Sequence, residues 1–150
     1  MRTLATIGYE QASLAEFIGA LAGAGVKQLI DVREVPISRK QGFSKRALAE
    51  ALGAAGIGYA HMRALGDPKP GREAARRGDY NAFRAIYSAH LASDDAKTAL
   101  DETGALAAVA PSCLMCFERD YLTCHRNMIA DVLADREGFA VRHLTVSAGR

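Results

Sequence analysis

VKQLIDV, residues 26–32, decides the fold. It is a nearly continuous apolar run, as expected of a strand buried on both faces and not of one with a solvated side. Such strands belong to parallel sheets covered by helices above and below. The sequence on either side agrees. Ser13-Leu14-Ala15-Glu16 reads as a capping box, with Ser13 as N-cap and Glu16 reaching back. Leu14, Phe17, Ile18 and Leu21 then share one helical face, and Gly23 and Gly25 end the helix before Val26. Thr3 to Ile7, closed by Gly8, reads as the strand before that helix.

The same alternation continues downstream. Ser44 is placed to cap a helix over 45–55 that Gly56 stops, and Ile57 to Ala60 is a short third strand. His61 to Gly78 reads as a long irregular stretch, rich in Gly and Pro, of the length that usually serves function. Asp79 caps a helix to about Leu91. A weaker helix over 95–109 is expected to break or bend near Gly104. Ser112 to Phe117 is a fourth strand, Cys124 to about Arg136 a helix, and Ala140 to Val146 the last strand. The expected fold is α/β: a single domain over 1–150, with a mostly parallel sheet of about five strands and helices on both faces.

Bulk properties narrow the function. The 150 residues are 49% hydrophobic, enough for a core without disulfide or metal staples. A net charge of +2 with 24% charged residues excludes a polybasic DNA-binding arm but not a local basic patch. No apolar run approaches the roughly 18 residues of a membrane span, and the first residues are too short to be a secretory signal. Three cysteines in no framework spacing point to a reduced, cytoplasmic protein.

Open α/β sheets bind ligands beyond the C-terminal ends of their strands. Here those ends are Gly8-Tyr9-Glu10, Val32-Arg33-Glu34, Tyr59-Ala60-His61 and Phe117-Glu118-Arg119. Polar and aromatic residues follow four strands in turn, which marks a pocket. Arg33, Ser38, Arg39, His61, His125 and Arg126 are expected to meet an anion there, aided by the N-terminus of the helix opening at Cys124. Tyr9, Phe43 and Tyr59 are suited to stack on a base or sugar. Glu10 and Glu118, at two strand ends, are the acid/base pair expected of an enzyme at this site. There is no G-x-G-x-x-G after the first strand and no P-loop, so ordinary dinucleotide binding is disfavoured.

CFERDYLTCHR, residues 116–126, supports other chemistries. Cys124 sits near a helix N-terminus beside His125 and Arg126, which favours thiolate and a nucleophilic role. Its structural reading is a small buried residue. Cys113, Cys116, Cys124 and His125 make up the number of ligands for zinc. Cys113 and Cys116, three apart on a strand, point to opposite faces, and adjacent Cys124 and His125 are hard to aim at one ion. A Cys116–Cys124 disulfide is a further alternative, disfavoured as a permanent bond in a reducing compartment. No metal and no cofactor is expected. Asp31, inside a strand, reads as an ion-pair partner of an arginine, and His90 and His143 as structural. Lys69, Arg72, Arg76 and Arg77 form a second basic cluster, either a nucleic-acid backbone site or a solvated loop.

The segments TIGYE (6–10), GVKQLIDVREVPISRKQGFS (25–44), GIGYAHMRALGDPK (56–69), CFERDYLTCHR (116–126) and VRHL (141–144) resemble the prokaryotic domain-of-unknown-function family 488. The matching residues are Tyr9, Glu10, Asp31, Arg33, Pro36, Ser38, Arg39, Phe43, Tyr59, His61, Leu65, Gly66, Glu118, Cys124, His125 and Arg126. The resemblance implies a Rossmann-like α/β domain and leaves the reaction open. Leu29 to Glu34 also resembles a short rhodanese motif, which keeps a cysteine-dependent sulfurtransferase using Cys124 as an alternative. The leading expectation is a pocket for a small anionic ligand or nucleic-acid fragment, with possible carboxylate catalysis. A non-catalytic nucleic-acid-binding module and a structural zinc protein are the remaining alternatives.

Overall fold

The computed structural model describes residues 2–146. Five strands form one sheet: β1 (Thr3–Gly8), β2 (Gln28–Asp31), β3 (Gly58–His61), β4 (Ser112–Cys116) and β5 (Ala140–His143), in the order β3-β2-β4-β1-β5. Every pairing is parallel. The expected α/β architecture is present, and its sheet is wholly parallel, not mostly so.

The helices divide by face. α1 (Leu14–Gly23) and α2 (Lys45–Ala54) pack Phe17, Leu21, Leu48 and Leu52 against Ala5, Ile7, Leu29, Cys113 and Met115. Four more helices cover the other face: α3 (Lys69–Arg76), α4 (Tyr80–Leu91), α5 (Asp94–Val109) and α6 (His125–Glu137). They enclose Leu4, Ile30, Val32, Leu114 and Cys116. Leu29, Ile30 and Val32 thus go into both cores, which is why the 26–32 run does not alternate cleanly.

The Ser13–Glu16 capping box is complete, each side chain bonded to the other's backbone N–H. Ser44 stands at the N-cap of α2, but its hydroxyl donates to the Ser38 carbonyl and accepts from the Ser38 N–H instead of capping. It fixes the loop after β2.

Three expectations need correction. The 61–78 stretch is not irregular: it holds a 3-10 turn at Arg63–Leu65 and the whole of α3. Pro70 sits at the start of α3, where its missing N–H costs nothing. α5 runs unbroken through Gly104, a glycine that makes room for the Glu137 carboxylate of α6. The last strand ends at His143, three residues early. Among the described residues no helix is long and apolar enough to cross a membrane.

The topology opens a crevice. The chain leaves β1 and β2 toward one face of the sheet and leaves β4, which lies between them, toward the other. Neighbouring loops therefore diverge at the C-terminal ends of these three strands, the position where open α/β sheets bind ligands.

Candidate functional site

A cleft of about 670 Å³ occupies that crevice. Tyr9 lines it from β1, Arg33 to Arg39 from β2, and Cys116, Phe117 and Glu118 from β4. Asp67, Arg72, Ala75, Arg76 and Tyr80 close it from the α3–α4 side, with Thr123 and His125 beneath.

The expected arginine clamp is rearranged. Arg33 is buried, and four of its five side-chain N–H groups are already bonded. Its Nε and Nη2 donate to the two carboxylate oxygens of Asp31 at 2.9 and 2.7 Å. Its Nη1 donates to the Phe43 carbonyl and the Tyr9 hydroxyl. Burial pulls the Arg33 pKa down, but Asp31 and Tyr9 more than reverse that and hold it above the ordinary value. Tyr59 donates its hydroxyl to Asp31, and burial followed by that carboxylate pushes its pKa up. His61 Nε2 lies 2.7 Å from the Arg33 carbonyl and outside the cleft lining. Phe43 is fully buried, stacked on Tyr9 at 4.5 Å. Asp31, Arg33, Tyr9, Phe43, Tyr59 and His61 are thus one connected strut that builds the wall of the cleft, with only Tyr9 and Arg33 reaching its surface.

Arg126 is also internal. It is wholly enclosed and donates to Thr6 Oγ1 at 3.2 Å, to the Glu118 and Arg119 carbonyls, and to Cys116 Sγ at 3.5 Å. It pins the turn after β4 to β1, and burial lowers its pKa. Gly8 belongs to the same joint, since a Cβ there would overlap the Glu118 carbonyl.

The cations that face the cleft freely are different ones. Arg39 and Arg76 are exposed, line the cleft, and have no ion-pair partner among the described residues. Arg72 is tied to Glu34 at 2.6 Å and to the Asp67 carbonyl. The loop after β2 and the basic cluster of α3, separate in sequence, therefore serve one site. Ser38 lines it too. Val35, Ile37 and Phe117 add exposed apolar surface at 49, 73 and 46%.

The carboxylates regroup as well. Glu118 faces the cleft, and burial raises its pKa, with Arg126 opposing and Glu10 reinforcing. Glu10 accepts from the Arg119 backbone N–H at 3.0 Å and lines a separate, smaller depression with Tyr121 and Thr145. The second carboxyl of the cleft is Asp67, which sequence reasoning passed over. It is 6% exposed, and its Oδ1 has no hydrogen-bond partner. Oδ1 fills the space a Cβ of Gly71 would need. Burial, and then the charge of Glu118, push Asp67 up to about 7, although Arg72 works against them. The Asp67-Pro68 step before Lys69-Pro70 was the available signal, because it marks a helix start and places Asp67 under it.

The cysteines separate as strand geometry requires. Cys113 is buried against α1 and α2, while Cys116 and Cys124 are buried together on the opposite face and are disulfide-bonded. Cys124 is the extended N-cap of α6, and His125 is its first residue. That break in backbone direction brings His125 Nδ1 within 3.8 Å of Cys124 Sγ despite their adjacency. Cys116, Cys124 and His125 are a set of donors that fits a thiophilic metal in kind, and Cys113 lies outside it. His125 Nε2 meets the Val32 carbonyl at 2.6 Å, and burial depresses its pKa to about 4. The ring is therefore neutral near pH 7, with the Nε2 proton held by Val32.

No curated protein and no solved structure matches the chain. One family model does, over residues 13–133. That span takes in Asp31, Arg33, Asp67, Glu118 and Cys124-His125-Arg126, and stops short of Tyr9 and Glu10. The chain belongs to the family described as domain of unknown function DUF488.

Proposed function

We propose that the chain is a single-domain cytoplasmic protein whose cleft binds a phosphate-bearing ligand, a nucleotide or nucleic-acid end, and acts on it by carboxyl acid/base chemistry. The observation that carries this reading is the pairing of two unpartnered arginines, Arg39 and Arg76, with the buried carboxyl Asp67 in one cleft. Arginine's planar fork suits phosphate. Val35, Ile37, Phe117 and Tyr80 offer an apolar surface for a base. A carboxyl held near pH 7 is protonated and ionised in comparable amounts, as a general acid or base needs. Glu118 supplies the second carboxyl. Arg33 and Arg126 support the reading indirectly, by fixing the walls.

The test is calorimetric titration with a 5′-phosphorylated mononucleotide and a short 5′-phosphorylated oligonucleotide. Each charge-assisted hydrogen bond contributes about 1.5–3 kcal/mol, so Arg39→Ala with Arg76→Ala should weaken binding by about tenfold or more. Added salt should weaken it too. Glu118→Gln and Asp67→Asn should retain binding and lose turnover. Undiminished binding by the double arginine variant, or no binding by the parent, would refute the reading.

A further inference from the structure

We propose that Cys116 is a nucleophilic thiolate at the floor of the cleft and Cys124 its resolving partner, so that the pair cycles between dithiol and disulfide by exchange with low-molecular-weight disulfides. This does not depend on the anion reading. The first ground is juxtaposition: the end of β4 and the N-cap of α6, eight residues apart, bring the two sulfurs into contact. Their Cα atoms stand 7.5 Å apart, wider than the about 4.4–6.8 Å of ordinary structural disulfides. That spacing is wide enough for an open dithiol.

The second ground assigns the roles. Cys116, although only 1% exposed, borders the cleft and Cys124 does not, so the cleft offers a reagent an approach to Cys116 and none to Cys124. Arg126, wholly buried, has no carboxylate within ion-pair distance among the described residues. Its contacts are a hydroxyl, two carbonyls and Cys116 Sγ. Glu118 and Asp120 act on this cation only from beyond ion-pair distance, and among its direct contacts Cys116 is the one group able to become an anion. The guanidinium therefore favours thiolate at Cys116.

The third ground is a hydrogen-bond acceptor that orients the Cys124 thiol. A carbonyl only accepts, so His125 Nε2 carries the proton that meets Val32, and Nδ1 presents its lone pair. Nδ1 lies 3.8 Å from Cys124 Sγ.

The steps balance. The Cys116 thiolate attacks one sulfur of a disulfide RSSR, forming a mixed disulfide and expelling RS⁻. Cys124 gives its proton to the RS⁻ released in the first step and attacks Cys116 Sγ, expelling the second RS⁻, which takes up from solvent the proton that Cys116 had lost in becoming a thiolate. The two protein thiols lose two electrons and two protons, and RSSR becomes two RSH.

The experiment uses the full chain, reduced, desalted and exposed to oxidised glutathione, with intact and peptide mass spectrometry after acid quench. The parent should lose two hydrogens and keep no adduct. Cys124→Ser should accumulate one glutathione on Cys116, and Cys116→Ser should be modified at Cys124 about tenfold more slowly or less. Cys113→Ser, altered on the other face, should behave as the parent. Early quenches of the parent should show the transient adduct on the Cys116 peptide, a readout that holds even where a serine variant fails to fold. An adduct found first on Cys124, or none on either cysteine, would overturn the proposal. So would a stoichiometric zinc in the reduced parent that blocks exchange, which would make Cys116, Cys124 and His125 a metal site.

Discussion

Asp67→Asn tests the buried carboxyl of the cleft without altering its shape. Asp67 ionises near 3.8 in the unfolded chain and at about 7 in the folded one. Between those values the native state holds more protons than the unfolded state, so this group's contribution makes stability fall as pH rises from about 4 to about 7. A shift of that size corresponds to ~4 kcal/mol at about 1.4 kcal/mol per unit. Asp67 is nearly buried but borders the open cleft, so solvent beyond it offsets part of this cost, which leaves ~1–2 kcal/mol as the expected effect. Asparagine cannot ionise, so the variant should be more stable than the parent by that amount at pH 8. The difference should shrink toward pH 5. Denaturant unfolding of both proteins at pH 5 and pH 8 measures the difference directly. In thermal melts at pH 8 it should appear as an increase of about 2–8 °C. A stability difference of equal size at both pH values would refute the claim that Asp67 is held near neutrality.

Two further variants probe the frame of the site. Asp31→Asn leaves the buried Arg33 without its carboxylate and should cost ~3–5 kcal/mol in chemical denaturation; a cost below ~1 kcal/mol would show that the strut is not held by that pair. Gly8→Ala drives a methyl into the Glu118 carbonyl and should cost ~1–3 kcal/mol, with hydrogen exchange accelerated at residues 118–119; unchanged exchange there would disprove the joint.

Much of the fold was legible because its signals are local. The capping box at Ser13 involves residues three apart and reports on itself. The 26–32 run states that both faces of its strand are covered. α3 was missed because its eight residues include a proline, a glycine and four charges, and only Gly71 and Ala74 are buried. No apolar stripe announces it. α5 was expected to break because Gly104 is a weak helix former, yet packing against Glu137 uses its missing side chain.

The sequence by itself determined the α/β class, the end of the sheet at which the cleft opens, and the opposite facing of Cys113 and Cys116. Each follows from periodicity within one element or from the order of elements along the chain. Only the tertiary structure decided which charges are free. Arg33 and Arg39 look alike in the loop after β2, and Arg126 looks as available as Arg76. Asp31, Tyr9 and the Phe43 carbonyl occupy Arg33, while Thr6, Cys116 and two carbonyls occupy Arg126. Two of those partners lie far off in sequence, Tyr9 24 residues from Arg33 and Thr6 120 from Arg126, and the nearer ones are reached only because the loops after β2 and β4 turn back on themselves. Whether a polar side chain has found its partner is set by how the loops fold back and meet other elements, so which of these groups stay unengaged at the cleft, Arg39, Arg76, Asp67 and Glu118 among them, was settled only by the folded chain.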